Sequence, residues 1–256
     1  MMMELDKIYH EDCLQGMKRI PDCSIDLVVC DLPYGVLNRK NPHAAWDHPI
    51  PFTPLWKEYT RIVKPSGAII LFAQGMFTAQ LMMSNAPMWR YNLIYRNGGR
   101  VTGFLNAKRQ PLREHEDICV FYRSQPTYNP QMVPCTPQQR NHSRGKGSKV
   151  NHCYGEIKAS EQIITDYKYP RSIINIQKEH SKFLHPTQKP VALIEYLIKT
   201  YSNEGETILD NCMGSGTTAI ACINTRRRYI GFELNEAYYN IAIERISKYL
   251  KRTTYE

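Results

Sequence analysis

At 256 residues, with 42% apolar and 22% charged side chains, the chain can bury a substantial core, and its apolar runs stay well short of the ~18 residues a membrane span requires. The opening Met1–Asp6 has no basic stretch followed by an apolar one, so no secretory leader is expected and the expected compartment is the cytoplasm. The net charge of +9 is concentrated: ten basic residues meet three acids between Arg96 and Cys153, a segment charge of +7 that suits a polyanion, nucleic acid first, with a solvated basic surface as the alternative.

Ile25–Cys30 is a continuous apolar run that predicts a buried strand, and Asp31-Leu32-Pro33-Tyr34-Gly35 closes it. Within four residues this places an acceptor-only carboxylate, a carbonyl that Pro33 biases toward extended geometry, and an aromatic face. Such groups can grip the exocyclic amino group of a nucleobase. Asp31 and the Leu32 carbonyl would accept its two N–H bonds while Tyr34 stacks on the ring. Cys30, next to them, reads as a packed strand residue rather than a nucleophile. The polar stretch Asn38–Pro49, with Trp46, is either a surface loop or a flap over a bound base.

Further along, spacing predicts a helix over 54–63, a strand over 68–73, a helix over 76–84 and a strand over 117–122. Ser124–Ser160 is rich in Pro, Gln, Asn, Gly and basic residues and reads as an extended or mobile insertion. A helix over 189–201 carries the stripe Val191, Leu193, Ile194, Leu197 and Ile198, with Pro190 in its first turn. Strands over 207–211 and 228–233 and a helix over 236–250 complete the pattern. Strands alternating with helices imply an α/β fold, a largely parallel sheet with helices on both faces. The eight cysteines form no C-x-x-C pair and read as reduced thiols; His142 and His152-Cys153 lack ligand spacing, so no metal is expected.

Gly214-Ser215-Gly216-Thr217-Thr218-Ala219 follows the strand 207–211 and fits G-x-G-x-x-A, a turn that lets a ligand approach the backbone at a helix start. The next strand ends in Glu233, placed to read a ribose diol. A dinucleotide would set its pyrophosphate against the carboxylate of Asp210, whereas S-adenosylmethionine brings a sulfonium and an ammonium that Asp210 attracts. S-adenosylmethionine is therefore the expected cofactor, ahead of NAD and of a tight turn with no ligand.

Taken together, these segments resemble the DNA amino-methyltransferases that modify N6 of adenine or N4 of cytosine, in the permuted β-class order. Asp31-Leu32-Pro33-Tyr34 resembles the family's Asp-Pro-Pro-Tyr signature, with Leu32 where the first proline is usual. His185-Pro186-Thr187-Gln188-Lys189-Pro190, the Leu209–Thr218 glycine loop, and Asp12-Cys13-Leu14 followed by Asp22–Val29 are similar to further family segments. The resemblance implies a Rossmann-like S-adenosylmethionine-dependent methyltransferase sheet with an inserted basic target-recognition region. Its expected divisions are a catalytic half at 1–95, the insertion at 96–184 (the strand 117–122 being assignable to the sheet) and a cofactor half at 185–256.

The implied catalytic residues are Asp31, Leu32, Pro33 and Tyr34. Asp210, Gly214, Ser215, Gly216 and Thr217 are implied around the methionine part of the cofactor, Glu233 at the ribose, and Asp12 with Cys13 at its adenine. His185, Thr187 and Lys189 are implied as further cofactor contacts, Lys189 toward the carboxylate. Arg96, Arg100, Lys108, Arg109 and Arg113 are expected to face double-stranded DNA, from which the target base would be flipped. The leading acid of the signature leans toward adenine. N4-cytosine transfer, an RNA or free-nucleotide substrate, and a non-catalytic nucleic-acid binder are the alternatives. The class implies a homodimer as one assembly state and a place in restriction-modification.

Overall fold

The computed structural model describes residues 3–37, 47–136, 149–151, 153, 155–157, 166–177 and 188–253. The chain divides into two compact units, Met1–Asn129 with Ser172–Glu256, and Pro130–Arg171. The larger unit holds an eight-stranded sheet. Its elements in chain order are β1 (Lys7–His10), α1 (Cys13–Gly16), β2 (Ile25–Asp31), α2 (Phe52–Ile62), β3 (Val63–Ala73), α3 (Met76–Ser84), β4 (Trp89–Arg96) and β5 (His115–Tyr122). The smaller unit contributes β6 (Val133–Pro134), β7 (Lys149–Asn151), β8 (Gly155–Ile157) and β9 (Tyr167–Lys168), paired antiparallel as β6 with β9 and β7 with β8. The large unit resumes with β10 (Ile173–Asn175), α4 (Val191–Tyr201), β11 (Thr207–Asp210), α5 (Thr217–Asn224), β12 (Arg228–Glu233) and α6 (Glu236–Thr253).

Strand order is β1-β12-β11-β2-β3-β5-β4-β10, parallel throughout except β5, which runs antiparallel to both neighbours. Alternation along the central strands feeds two cores, because successive side chains leave opposite faces. Leu27 and Val29 of β2 and Ala68, Ile70 and Phe72 of β3 pack with the apolar stripe of α4 and with α5 and α6. Val28 and Cys30 of β2, with Ile69 and Leu71 of β3, pack under α2 and α3, where Leu55, Trp56, Tyr59, Phe77 and Leu81 are buried. Helices therefore cover both faces, as the alternating pattern predicts. Among the described residues no helix is long and apolar enough to cross a membrane.

The topology fixes where a ligand can enter. β11 continues through α5 to β12 on one side, and β2 through α2 to β3 on the other, while β11 and β2 pair directly with Leu209 opposite Val28. Their carboxyl ends are thus a switch point, where the two crossovers diverge and leave a crevice. The basic stretch from Arg96 to Arg113 joins two sheet strands, β4 and β5. The second compact unit begins only at Pro130, narrower than the expected insertion of 96–184.

Candidate active site

At the switch point the strand tips frame a cavity of about 930 Å³, within the size range of small-molecule sites. Asp31 ends β2 and Asp210 ends β11, and both line it, as does Glu233 from the end of β12. The two signature segments, far apart in sequence, therefore meet at neighbouring tips.

Around Asp31 the contacts are ionic. Its Oδ1 accepts from the Tyr34 hydroxyl at 2.7 Å, and its Oδ2 from Lys189 Nζ at 2.6 Å. Lys189 also meets Glu116 of β5 at 2.9 Å, and its ammonium lies 4.9 Å from the centre of the Phe72 ring. Lys189 is only 8% exposed, so one buried cation serves two carboxylates. Burial raises the Asp31 carboxyl above the ordinary carboxylate range; Lys189 opposes that shift and Glu116 adds to it. Lys189 itself is held firmly protonated: desolvation opposes the charge, but the two carboxylates outweigh it. The Tyr34 ring packs on Phe77 of α3 with centroids 4.8 Å apart, and Leu32 is buried beneath it. Lys189, expected toward the cofactor carboxylate, is paired with Asp31 and Glu116 in this structure.

Asp210 is buried, and its hydrogen-bond donors are neutral, while the nearby charge of Asp31 adds to the effect of burial. Oδ1 accepts from Cys212 N–H at 3.1 Å and Oδ2 from the Thr218 hydroxyl at 2.5 Å. Burial pushes its carboxyl up to about 6, and these donors only moderate the rise. Glu233 is raised as well, by burial, against the Asn235 and Gly214 N–H groups that each donate to it at 2.8 Å. The glycine turn has the geometry its residues permit: Gly214 and Gly216 sit at φ +55° and +80°. A side chain on Gly216 would also press on Ala242 of α6 at 3.2 Å.

Three partly desolvated carboxylates, with Lys189 engaged by Asp31 and Glu116, are a donor set that fits a cationic ligand bearing hydroxyls. The Glu233 carboxylate takes one of these N–H groups on each oxygen and retains acceptor capacity for a diol. Asp12 caps α1 by accepting from Gln15 N–H at 3.0 Å, and Asp12 and Cys13 line the same cavity. Ser215 and Thr217 line it as well; Gly216 shapes the turn behind them. His185, Thr187 and Trp46 lie outside the described residues.

Of the basic residues, Arg96 is ion-paired with Glu114 at 2.6 Å, while Arg100, Lys108, Arg109 and Arg113 lie on the exposed connection between β4 and β5. Several site residues carried no signal in the sequence. Glu116 pairs with Lys189. Asp47 is buried and accepts from the Gly35 and Leu37 N–H groups at 2.9 and 2.6 Å, bracing the segment after Tyr34. Arg245 of α6 donates to the Ser215 carbonyl and the Thr217 hydroxyl, both at 3.0 Å.

An α/β sheet with a cofactor-type glycine turn beside an acceptor carboxylate defines a group-transfer enzyme by its site. The N6_N4_Mtase family model, described as DNA methylase, matches residues 25–244, and the chain belongs to that family. It is a DNA methyltransferase of the N6-adenine/N4-cytosine kind, and the cofactor of the family is S-adenosylmethionine. The chain is similar to the type II methyltransferase M.HpaI of Haemophilus parainfluenzae, 28% identical over 249 residues covering 92% of this chain and 72% of that protein. It is also 28% identical to the type II methyltransferase M.BglII of Bacillus subtilis over 259 residues, 95% and 69% of the two chains. Among solved structures the fold matches PvuII DNA methyltransferase, described as cytosine-N4-specific, with TM-score 0.67 and 15% identity over 94% of this chain and 86% of that one. It matches M1.HpyAVI in complex with S-adenosylmethionine with TM-score 0.60 and 22% identity over 94% and 98%.

Proposed function

We propose that the chain transfers a methyl group from S-adenosylmethionine to N6 of an adenine flipped out of double-stranded DNA at a specific site. The observation that carries this reading is the pairing of β2 with β11, which sets Asp31 and Asp210 at adjacent tips facing one cavity.

In this reading Asp210 and the turn Gly214–Thr217 hold the methionine part, Glu233 the ribose hydroxyls, and Asp12 with Cys13 flank the cofactor's adenine. When bound, S-adenosylmethionine supplies an electrophilic methyl group on a sulfonium. Asp31 and the Leu32 carbonyl accept the two N–H bonds of the target amino group and draw its lone pair out of conjugation with the ring. Although both Asp31 oxygens are already engaged, each retains a second acceptor position for this task. Pro33 keeps the Leu32 carbonyl extended, so leucine in place of the usual proline preserves the acceptor. Tyr34 presents its ring to the base and orients Asp31 through its hydroxyl. Lys189 keeps Asp31 ionised against burial and against Glu116. The proton shed by the methylated nitrogen meets Asp31, whose raised affinity for it suits it to that role. Cys30 is buried and takes no part, since nitrogen attacks directly.

The acid that opens the signature favours adenine. Duplex DNA incubated with protein and cofactor, then hydrolysed to nucleosides for mass spectrometry, should contain N6-methyladenine. N4-methylcytosine would overturn the base assignment, and no methylated base would overturn the reading as a whole.

A further inference from the structure

Between β4 and β5 the chain projects a finger that the chemistry above does not use. Thr102 and Arg113 close its base by reciprocal backbone hydrogen bonds of 2.8 and 3.0 Å. Gly103, at φ +84°, turns the chain into a single helical turn at Phe104–Asn106. Further N–H donations to the Gly103, Phe104 and Asn106 carbonyls, at 2.8–3.1 Å, hold the finger together from within. It is therefore an ordered element rather than a loose connection.

Its side chains run against the usual economy of a surface. Phe104 is 74% exposed and Leu105 86%, and Val101 and Leu112 flank them at 48% and 41%. Adjacent exposed apolar residues on a bonded tip mark a contact surface. The finger is also uniformly cationic: Arg100, Lys108, Arg109 and Arg113 lie on residues 97–113, which contain no acid. Its base, at Thr102, Gly103 and Arg113, lines the same cavity as Asp31. An apolar tip on a cationic stem, rooted at the mouth of a base pocket, matches a stacked polyanion: phosphates meet the stem and apolar base faces meet the tip.

We infer that Phe104 and Leu105 form a wedge that enters the DNA stack as the target base leaves it, filling the gap and keeping the base from falling back. This inference rests on the base-methylation reading above and assigns how the duplex is opened. Flipping exposes two apolar base faces and leaves an unpaired partner, and a flat aromatic beside a branched aliphatic covers both. Arg100, Lys108 and Arg109 would act on phosphates on either side, independent of sequence.

The test begins by mapping the methylated motif, through long-read sequencing of DNA from a methylation-free host expressing the unaltered chain. Oligonucleotide duplexes carrying that motif are then methylated in single turnovers by the unaltered protein and by F104A/L105A. One duplex is fully paired and the other has an abasic site opposite the target, so that its base is already unpaired. The wedge predicts that F104A/L105A is slowed at least about tenfold on the paired duplex and returns to within about threefold of the unaltered protein on the abasic one. A 2-aminopurine placed at the target should likewise lose its fluorescence rise with the variant. F104W should retain activity on both duplexes. Equal slowing on the two duplexes, or none, overturns the wedge while leaving the methylation reading intact. A change in sedimentation coefficient for F104A/L105A without DNA would assign the tip to contact with a second copy of the chain and overturn it too. If the unaltered chain methylates no motif, both readings fall together.

Discussion

The ends of β2 and β11 are neighbours facing one cavity, each ends in an aspartate, Asp31 part-buried and Asp210 buried, and they are treated in opposite ways. Asp31 is given a cation, Lys189, which it shares with Glu116. Asp210 has a hydroxyl, a backbone N–H and the Cys30 thiol as hydrogen-bond partners, and no cation is among the groups that shift its carboxyl. A compensated carboxylate is a stable acceptor, ready to take N–H bonds without demanding a positive charge. An uncompensated one carries an unmet charge: keeping Asp210 ionised at neutral pH costs about 3 kcal/mol relative to water, given a carboxyl raised to about 6. That cost is offset when a cationic ligand binds beside it. Under the proposed function, the difference separates the two halves of the reaction, with one aspartate tuned for the acceptor base and the other for the methyl donor.

Four substitutions would break or sharpen this contrast. Asp31→Ala should lower kcat about 10³-fold or more while S-adenosylmethionine affinity, read by isothermal titration, stays within about threefold. Unchanged turnover would remove Asp31 from the chemistry.

Lys189→Met should lower kcat about 10²-fold at pH 7 and destabilise the fold by about 3 kcal/mol, because two part-buried carboxylates lose the buried cation they share. The sign of its pH effect follows from Asp31, which works ionised and whose carboxyl is already raised. Without Lys189 that carboxyl rises further, so the acidic limb of the kcat profile should move to higher pH. Adding Glu116→Gln should move it back, since a facing negative charge is gone. A limb that stays in place would mean that Lys189 does not act through Asp31.

Asp210→Asn should have the smallest effect, weakening cofactor binding about tenfold at pH 8. In the unaltered protein, affinity for the cationic cofactor should be highest above pH 7 and fall through about pH 6 as Asp210 takes up a proton, levelling off about tenfold lower, at the affinity of the variant. The variant should lose that dependence. Because the Asp210 carboxyl is raised on folding, its contribution to stability is greatest below the unfolded value and is lost as pH rises through about 6. The unliganded variant should therefore melt higher than the unaltered protein at neutral pH, and a lower melting temperature would contradict the account.

The chemistry at both tips was legible because β2, β11 and β12 are apolar runs that end in carboxylates, and such strands announce where their polar ends lie. Lys189 was legible as a site residue but not in its partner, since 158 positions separate it from Asp31 and only the sheet order brings them together. Glu116 looked like one acid in a mixed run at the start of a strand. β4 escaped notice because Trp89-Arg90-Tyr91-Asn92 interrupts the apolar pattern and the strand is only partly buried. β1 and β10 span four and three residues, too few to show a period. Asp47 acts on the Gly35 and Leu37 N–H groups and Arg245 in part on the Ser215 carbonyl, and backbone partners leave no mark on residue type.

Arg245 gives the terminal helix a duty beyond packing. By reaching from α6 to the Ser215 carbonyl and the Thr217 hydroxyl, it braces the glycine turn without itself lining the cavity. Anything that peels this helix from the sheet, whether a protease nick or a competing partner, would slacken the donor pocket while leaving Asp31 and Tyr34 in their places. Under the proposed function, damage to α6 would thus silence the enzyme through its methyl supply.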